Sequence, residues 1–229
     1  MRFEKGRSMS DFTVARRRMV DCQVRPSDVT DLRIIEAMLD VPREIFVPDQ
    51  LKPLAYLDQD LNVSAAGGAQ RCLIRPGLLA RLLQAAAITA TDKVLVVGCA
   101  SGYAAAVVGK LAATVVAVEP APTLVAQAQS AFGRLGITNV TVRQATALEG
   151  APADAPFDVI LLQGASQIGL DSLRAQLAVG GRMVGISAMG GTDRAILVTR
   201  SAADFGDRVL FDAAAPVLSG LERPAAFVF

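Results

Sequence analysis

Residues 93–103, KVLVVGCASGY, carry a short apolar run, rich in valine, straight into a glycine-containing turn. Val94, Leu95, Val96 and Val97 read as a strand buried on both faces of a parallel sheet. Gly98 and Gly102 let the backbone turn sharply and approach a ligand closely. A helix is predicted from Tyr103 to about Leu111, and its first turn offers free N–H groups. Strand, glycine turn and helix in this order make a candidate nucleotide site.

The next predicted strand, Thr114–Val118, ends in Glu119, 21 residues after Gly98. A carboxylate there lies beside the first turn, where it can accept hydrogen bonds from a ribose diol. The dinucleotide fingerprint G-x-G-x-x-G is not met, because Ala100 and Tyr103 occupy its later positions. Gly98-x-Ala100-x-Gly102 instead resembles the G-x-G-x-G turn of S-adenosylmethionine (SAM) methyltransferases, with alanine for the middle glycine. No P-loop lysine follows, which argues against ATP hydrolysis.

Working outward, alternation of strand and helix organises residues 77–187. Leu78, Leu79, Leu82, Leu83 and Ala86 form one apolar helix stripe before the first strand. A helix from about Thr123 carries Leu124, Val125, Ala128, Phe132 and Leu135 and ends at Gly136. Strands are predicted at Val140–Arg143, Phe157–Leu162, Arg182–Ser187 and Ala195–Thr199, with AAFVF at 225–229 as a last one. A short helix with Leu170, Leu173 and Leu177 is expected to run to Gly180-Gly181. The fold class is α/β: a Rossmann-like, doubly wound, mostly parallel sheet.

Upstream, residues 11–48 read as a helical cap, with Leu32, Ile35, Met38 and Leu39 at helical spacing after Thr30 and Asp31. Pro42 and Pro48 break it, and residues 49–62 are expected to form an extended connector. Gly67 to Pro76, GGAQRCLIRP, reads as a mobile lid or substrate edge. Residues 1–10 are expected to be loosely ordered, and the whole chain to form a single domain.

Composition excludes much chemistry. The 229 residues are 52% hydrophobic and 20% charged, with net charge +1, which argues against disorder and broad nucleic-acid binding. No apolar run has transmembrane length and no signal peptide is legible, so a soluble cytoplasmic protein is expected. Histidine is absent, so there is no His base, Ser-His-Asp triad or His-ligated zinc. Cys22, Cys72 and Cys99 are too scattered for a metal site or disulfide framework.

Residues 19–61, with MVDCQV and DLRIIEAMLDVPREIFVPDQLKPLAYLDQDL, resemble the protein-L-isoaspartate O-methyltransferase family. VLVVGCASGYAAAV is similar to that family's VLEIGTGSGYQAAV, and APFDVILL and GGRMV extend the likeness to about residue 187. The resemblance implies a SAM cofactor, with S-adenosylhomocysteine as product. It also implies methyl transfer to the α-carboxylate of L-isoaspartyl residues in damaged proteins. The implied cofactor contacts are Gly98, Cys99, Ala100, Ser101, Gly102, Tyr103, Glu119, Pro120, Ala145 and Gln163, with Asp58 from the family's Y-x-D segment. Tyr103 has the alternative of packing its ring under the helix, and Asp58 that of capping a loop.

Three departures surround the implied site. Ile74 stands where the family has the Ser of Q-T-I-S-x-P, so no catalytic residue is assigned. Gln144-Ala145-Thr146 replaces G-D-G, and Gln163–Ser166 replaces A-A-A-P. Arg71, Cys72, Ile74 and Arg75 form the substrate-side loop, where one arginine is a candidate partner for an anionic substrate group, such as a protein, peptide or small-molecule carboxylate. Two alternatives stand beside methyl transfer: a pseudoenzyme acting as a binding module, and an NAD-dependent oxidoreductase.

Overall fold

The computed structural model describes residues 9–64 and 68–224. The expected loose start and the expected strand at 225–229 lie outside these, apart from Met9 and Ser10, which open the first helix. The N-terminal region is helical as expected. It begins with α1 (Met9–Met19), continues through a π turn at Val20–Val24 and reaches α2 (Leu32–Asp40). Asp31 caps α2, its carboxylate accepting the Arg33 N–H at 2.9 Å, and Ile34, Ile35, Ala37 and Met38 form the buried face. The chain leaves the helix at Val41, as the following Pro42 requires.

The connector is more structured than its prolines suggest. Asp49–Leu54 forms a 3-10 helix with Pro53 inside, and β1 (Leu61–Asn62) then pairs antiparallel with β2 (Cys72–Leu73). Of the loop expected to be a lid or substrate edge, Gly68, Ala69 and Gln70 are exposed, whereas Arg71, Cys72, Leu73 and Ile74 are packed inward and buried. Their apolar side chains join the core, which outweighs the permissive glycines ahead of them.

The remaining elements are α3 (Pro76–Ala86), β3 (Lys93–Val97), α4 (Tyr103–Gly109), β4 (Thr114–Glu119), α5 (Pro122–Leu135), β5 (Val140–Gln144), β6 (Phe157–Ser166), α6 (Asp171–Arg174), β7 (Leu177–Ser187), β8 (Arg194–Arg200) and β9 (Phe205–Asp212). Leu177 opens a strand rather than continuing the helix, because Phe157 pairs with it in the sheet. The strand β9 was not foreseen: its residues are mostly exposed, so no apolar alternation marks it.

β3 to β9 form one sheet in the order β5-β4-β3-β6-β7-β8-β9. The first five in that order are parallel, and β8 and β9 add antiparallel at one edge. Alternate side chains separate two cores. Val94, Val96, Val115, Ala117, Val159 and Leu161 face the cap, α3, α4 and α5. Leu95, Val97, Val116, Val118, Ile160 and Leu162 face α6 and the segment around Leu218 and Leu221. Strand order reverses at β3, which has β4 on one side and β6 on the other, so a ligand crevice is expected above its C-terminal end.

Candidate cofactor site

The turn after β3 takes a glycine-like path at three positions. Gly98, Ala100 and Gly102 have φ of +69°, +49° and +100°. Ala100 thus keeps the shape that the middle glycine of the pattern would have, at a cost of about 1–2 kcal/mol for a left-handed L-residue. Part of that cost is offset by a charge-assisted bond, since the Ala100 N–H donates to Glu119 Oε2 at 3.0 Å. A Cβ at Gly102 would lie 2.9 Å from Ala128 and Phe132, so this glycine lets α4 seat on α5. A Cβ at Gly98 would lie 2.5 Å from Leu218 Cδ2, so a side chain already covers that face.

Glu119 closes β4 with no exposure at all. Besides Ala100, its carboxylate accepts the Ala121 N–H at 3.1 Å and Arg71 Nε at 2.9 Å, both on Oε1. Arg71 is itself buried and donates through Nη1 to the Gln70 carbonyl. On the other side of β3, the register between β6 and β7 shifts after Leu161, and the bulge holds Gln163 and Gly164. Gln163 Nε2 donates to the Cys72 carbonyl at 3.0 Å, while its buried Oε1 has no partner.

The other residues singled out from sequence fall differently. Ser101 donates to the Phe46 carbonyl, and Tyr103 is buried against Phe46 and Arg43, so its packing alternative is the one observed. The Ala145 N–H donates to the Glu119 carbonyl at 3.3 Å, and Pro120 accepts from Gln144. Asp58 is exposed in a turn. Asp60, two residues on, has the role of holding the loop: it accepts the Arg75 N–H at 2.7 Å and pairs with the Arg75 guanidinium at 3.5 Å. Arg75 remains one-third exposed. The pair of loop arginines is therefore split, Arg71 inward onto Glu119 and Arg75 outward onto Asp60.

Burial raises the Cys72 thiol, and drives that of Cys99 far up, so neither is prepared as a thiolate nucleophile. Among the described residues no cluster of acidic or cysteine side chains could hold a metal ion. Arg43, fully buried beside the loop, escaped the sequence reading because nothing in P-R-E-I-F distinguishes a buried arginine from a solvated one. Leu218 was missed too, since its contact with Gly98 is not local.

A glycine turn at the switch point of a doubly wound sheet, with a carboxylate closing the next strand, defines the class of Rossmann-like nucleotide-binding proteins. A family model described as Protein-L-isoaspartate(D-aspartate) O-methyltransferase (PCMT) matches residues 16–205. The chain belongs to this family, whose cofactor is SAM. It is 38% identical over 196 residues to Protein-L-isoaspartate O-methyltransferase 2 of Marinobacter nauticus, covering 85% of this chain and 86% of that one. It is 40% identical over 176 residues to Protein-L-isoaspartate O-methyltransferase of Koribacter versatilis, covering 77% of this chain and 78% of that one.

Two solved structures share the fold. One, described as a protein-L-isoaspartate O-methyltransferase, superposes with a TM-score of 0.80 at 24% identity, covering 90% of this chain and 66% of that one. The other, from Plasmodium falciparum and in complex with S-adenosyl-L-homocysteine, gives 0.76 at 17% identity over 89% and 98%.

Proposed function

We propose that the protein transfers the methyl group of SAM to the α-carboxylate of L-isoaspartyl residues in protein or peptide substrates. The observation that carries this reading is Glu119: a buried carboxylate at the end of β4, hydrogen-bonded to the glycine turn of the switch point. It fits an adenosine in kind when Arg71 withdraws: a carboxylate has about four acceptor sites, the Ala100 and Ala121 N–H groups fill two, and two are left for the ribose hydroxyls. The cofactor supplies an electrophilic methyl on a sulfonium. The chain's own part is to hold and align, because an isoaspartyl carboxylate is already ionised at pH 7 and needs no base. That suits a sequence without histidine. Arg75, partly exposed at the start of α3, is the positive group best able to receive the substrate carboxylate. Cap and sheet would act as one unit, as their side chains share a core cluster.

Calorimetric titration with SAM and with S-adenosylhomocysteine, followed by methylation of an isoaspartyl peptide, tests this. Binding that is lost in Glu119→Ala, together with turnover, is expected. A folded protein that binds neither compound would overturn the reading. One observation favours a second reading: Arg71 sits on the carboxylate that the ribose needs. Binding without transfer would be the mark of that alternative, a cofactor-binding module.

A further inference from the structure

Gln70–Leu73 is a strap laid across the crevice and pinned on both sides of β3. On the β4 side Arg71 Nε meets Glu119 Oε1 at 2.9 Å, with side-chain exposures of 8% and 0%, so solvent screens the pair little. On the β6 side the Cys72 carbonyl receives the Gln163 amide at 3.0 Å. The strap thus engages one side chain from each flanking strand, Glu119 of β4 and Gln163 of β6.

We propose that this strap is a latch, in which Arg71 holds Glu119 in place of the ribose diol, and that the cofactor binds by displacing it. The proposal rests on the methyl-transfer reading above. Three features support exchange rather than a permanent fastening. The backbone ladder under the strap is short: Leu61 pairs with Leu73 and Asn62 with Cys72, the Val63 N–H adds one bond to the Arg71 carbonyl at 2.8 Å, and the Arg43 anchor lies at the far end, on Leu73 and Ile74. Docking leaves the buried Gln163 Oε1 without a donor, so the closed state carries an unmet cost that a ligand donor can relieve. Glu119 also keeps its two backbone donors, Ala100 and Ala121, when Arg71 leaves, so the carboxylate stays aimed at the crevice.

A latch imposes a population penalty: apparent affinity falls by the fraction of molecules that are open. Removing Arg71 should therefore tighten S-adenosylhomocysteine binding by roughly tenfold or more. Cys72 provides a reporter on the strap itself, being buried while closed. In a Cys22→Ser background, which removes the exposed thiol, and with Cys99 sealed in the core, labelling by a thiol reagent reads strap opening. Arg71→Ala should label faster than the parent, and S-adenosylhomocysteine should accelerate labelling of the parent.

Slower labelling on adding S-adenosylhomocysteine, or weaker binding in Arg71→Ala, would overturn the latch and leave the methyl-transfer reading standing. No binding by either folded protein would overturn both. Should Arg71→Ala fail to fold, Arg71→Lys keeps the charge but loses the planar fork, and the same directions are expected at smaller size. Unchanged affinity and labelling in Arg71→Lys would then overturn the latch.

Discussion

The Arg43 guanidinium lies over the Tyr103 ring, 4.6 Å from its centroid, with no exposure to solvent. It donates to the carbonyls of Ala55 at 2.9 Å, Ile74 at 3.0 Å and Leu73 at 3.4 Å. One buried side chain thereby joins the cap, the strap and the first turn of α4. Its partners are carbonyls and a ring rather than a carboxylate, so their combined geometry must offset the cost of burying the charge.

Arg43→Met should therefore cost about 3 kcal/mol or more, through three carbonyls left short of a donor. Arg43→Lys should recover little of this, because an ammonium cannot span the three carbonyls in one plane. Denaturant unfolding of both variants provides the measurement, and a methionine variant as stable as the parent would refute the account.

Restoring the family hydroxyl should fail. Ile74 is 1% exposed and its side chain belongs to the main core cluster. Ile74→Ser would leave a cavity and bury a hydroxyl, for a loss of roughly 2–4 kcal/mol without a gain in turnover. Measured methyl transfer that rises in this variant would show that the serine position still faces the substrate.

Two of the left-handed positions of the turn, Gly98 and Ala100, should respond differently. Gly98→Ala brings a methyl group to 2.5 Å from Leu218 Cδ2 at a φ of +69°, and should destabilise by about 2 kcal/mol or more. Ala100→Gly relieves about 1–2 kcal/mol of backbone strain but gives up a buried methyl and chain stiffness of similar worth. Its thermal midpoint should stay near that of the parent, and a large drop would mean that the methyl packs for more than its area.

At the opposite end of β3, Asp92 accepts the Thr89 N–H at 2.9 Å, the Thr89 hydroxyl at 2.8 Å and Arg182 Nη2 at 2.7 Å. Burial alone would raise its pKa, but these donors outweigh burial and leave the carboxyl below its ordinary value of 3.8. A lowered folded-state value means that the stabilisation is complete above that ordinary value and is lost as pH falls through the folded one. Asp92→Asn should thus cost about 2 kcal/mol at pH 7, and the gap to the parent should shrink below about pH 4. A gap that stays constant down to pH 2 would contradict the assignment.

The central strands were legible because β3, β4 and β6 carry short apolar runs, and the turn because its spacing is local. Glu119 was legible for the same reason, standing a fixed distance from Gly98. What escaped was decided by tertiary contact. Arg71 looks like any loop arginine until β4 brings a carboxylate beneath it. Asp58 and Asp60 cannot be ranked by composition, and only the fold turns Asp60 toward Arg75. Leu177 follows a helical spacing from Leu170 and Leu173, yet pairing with Phe157 claims it for the sheet. The strand β9 carries too little buried surface to announce itself.

Leu218 reaches back across 120 positions to cover Gly98, and the backbone around it is held by Ala165, whose N–H donates to the Pro216 carbonyl while its own carbonyl accepts the Leu218 N–H. Contacts of such sequence separation must wait for a long loop to close, so they form late. During folding the parallel strands can therefore assemble before the turn has its cover. The shape of the crevice thus depends on a side chain 120 positions away as well as on the local turn after β3.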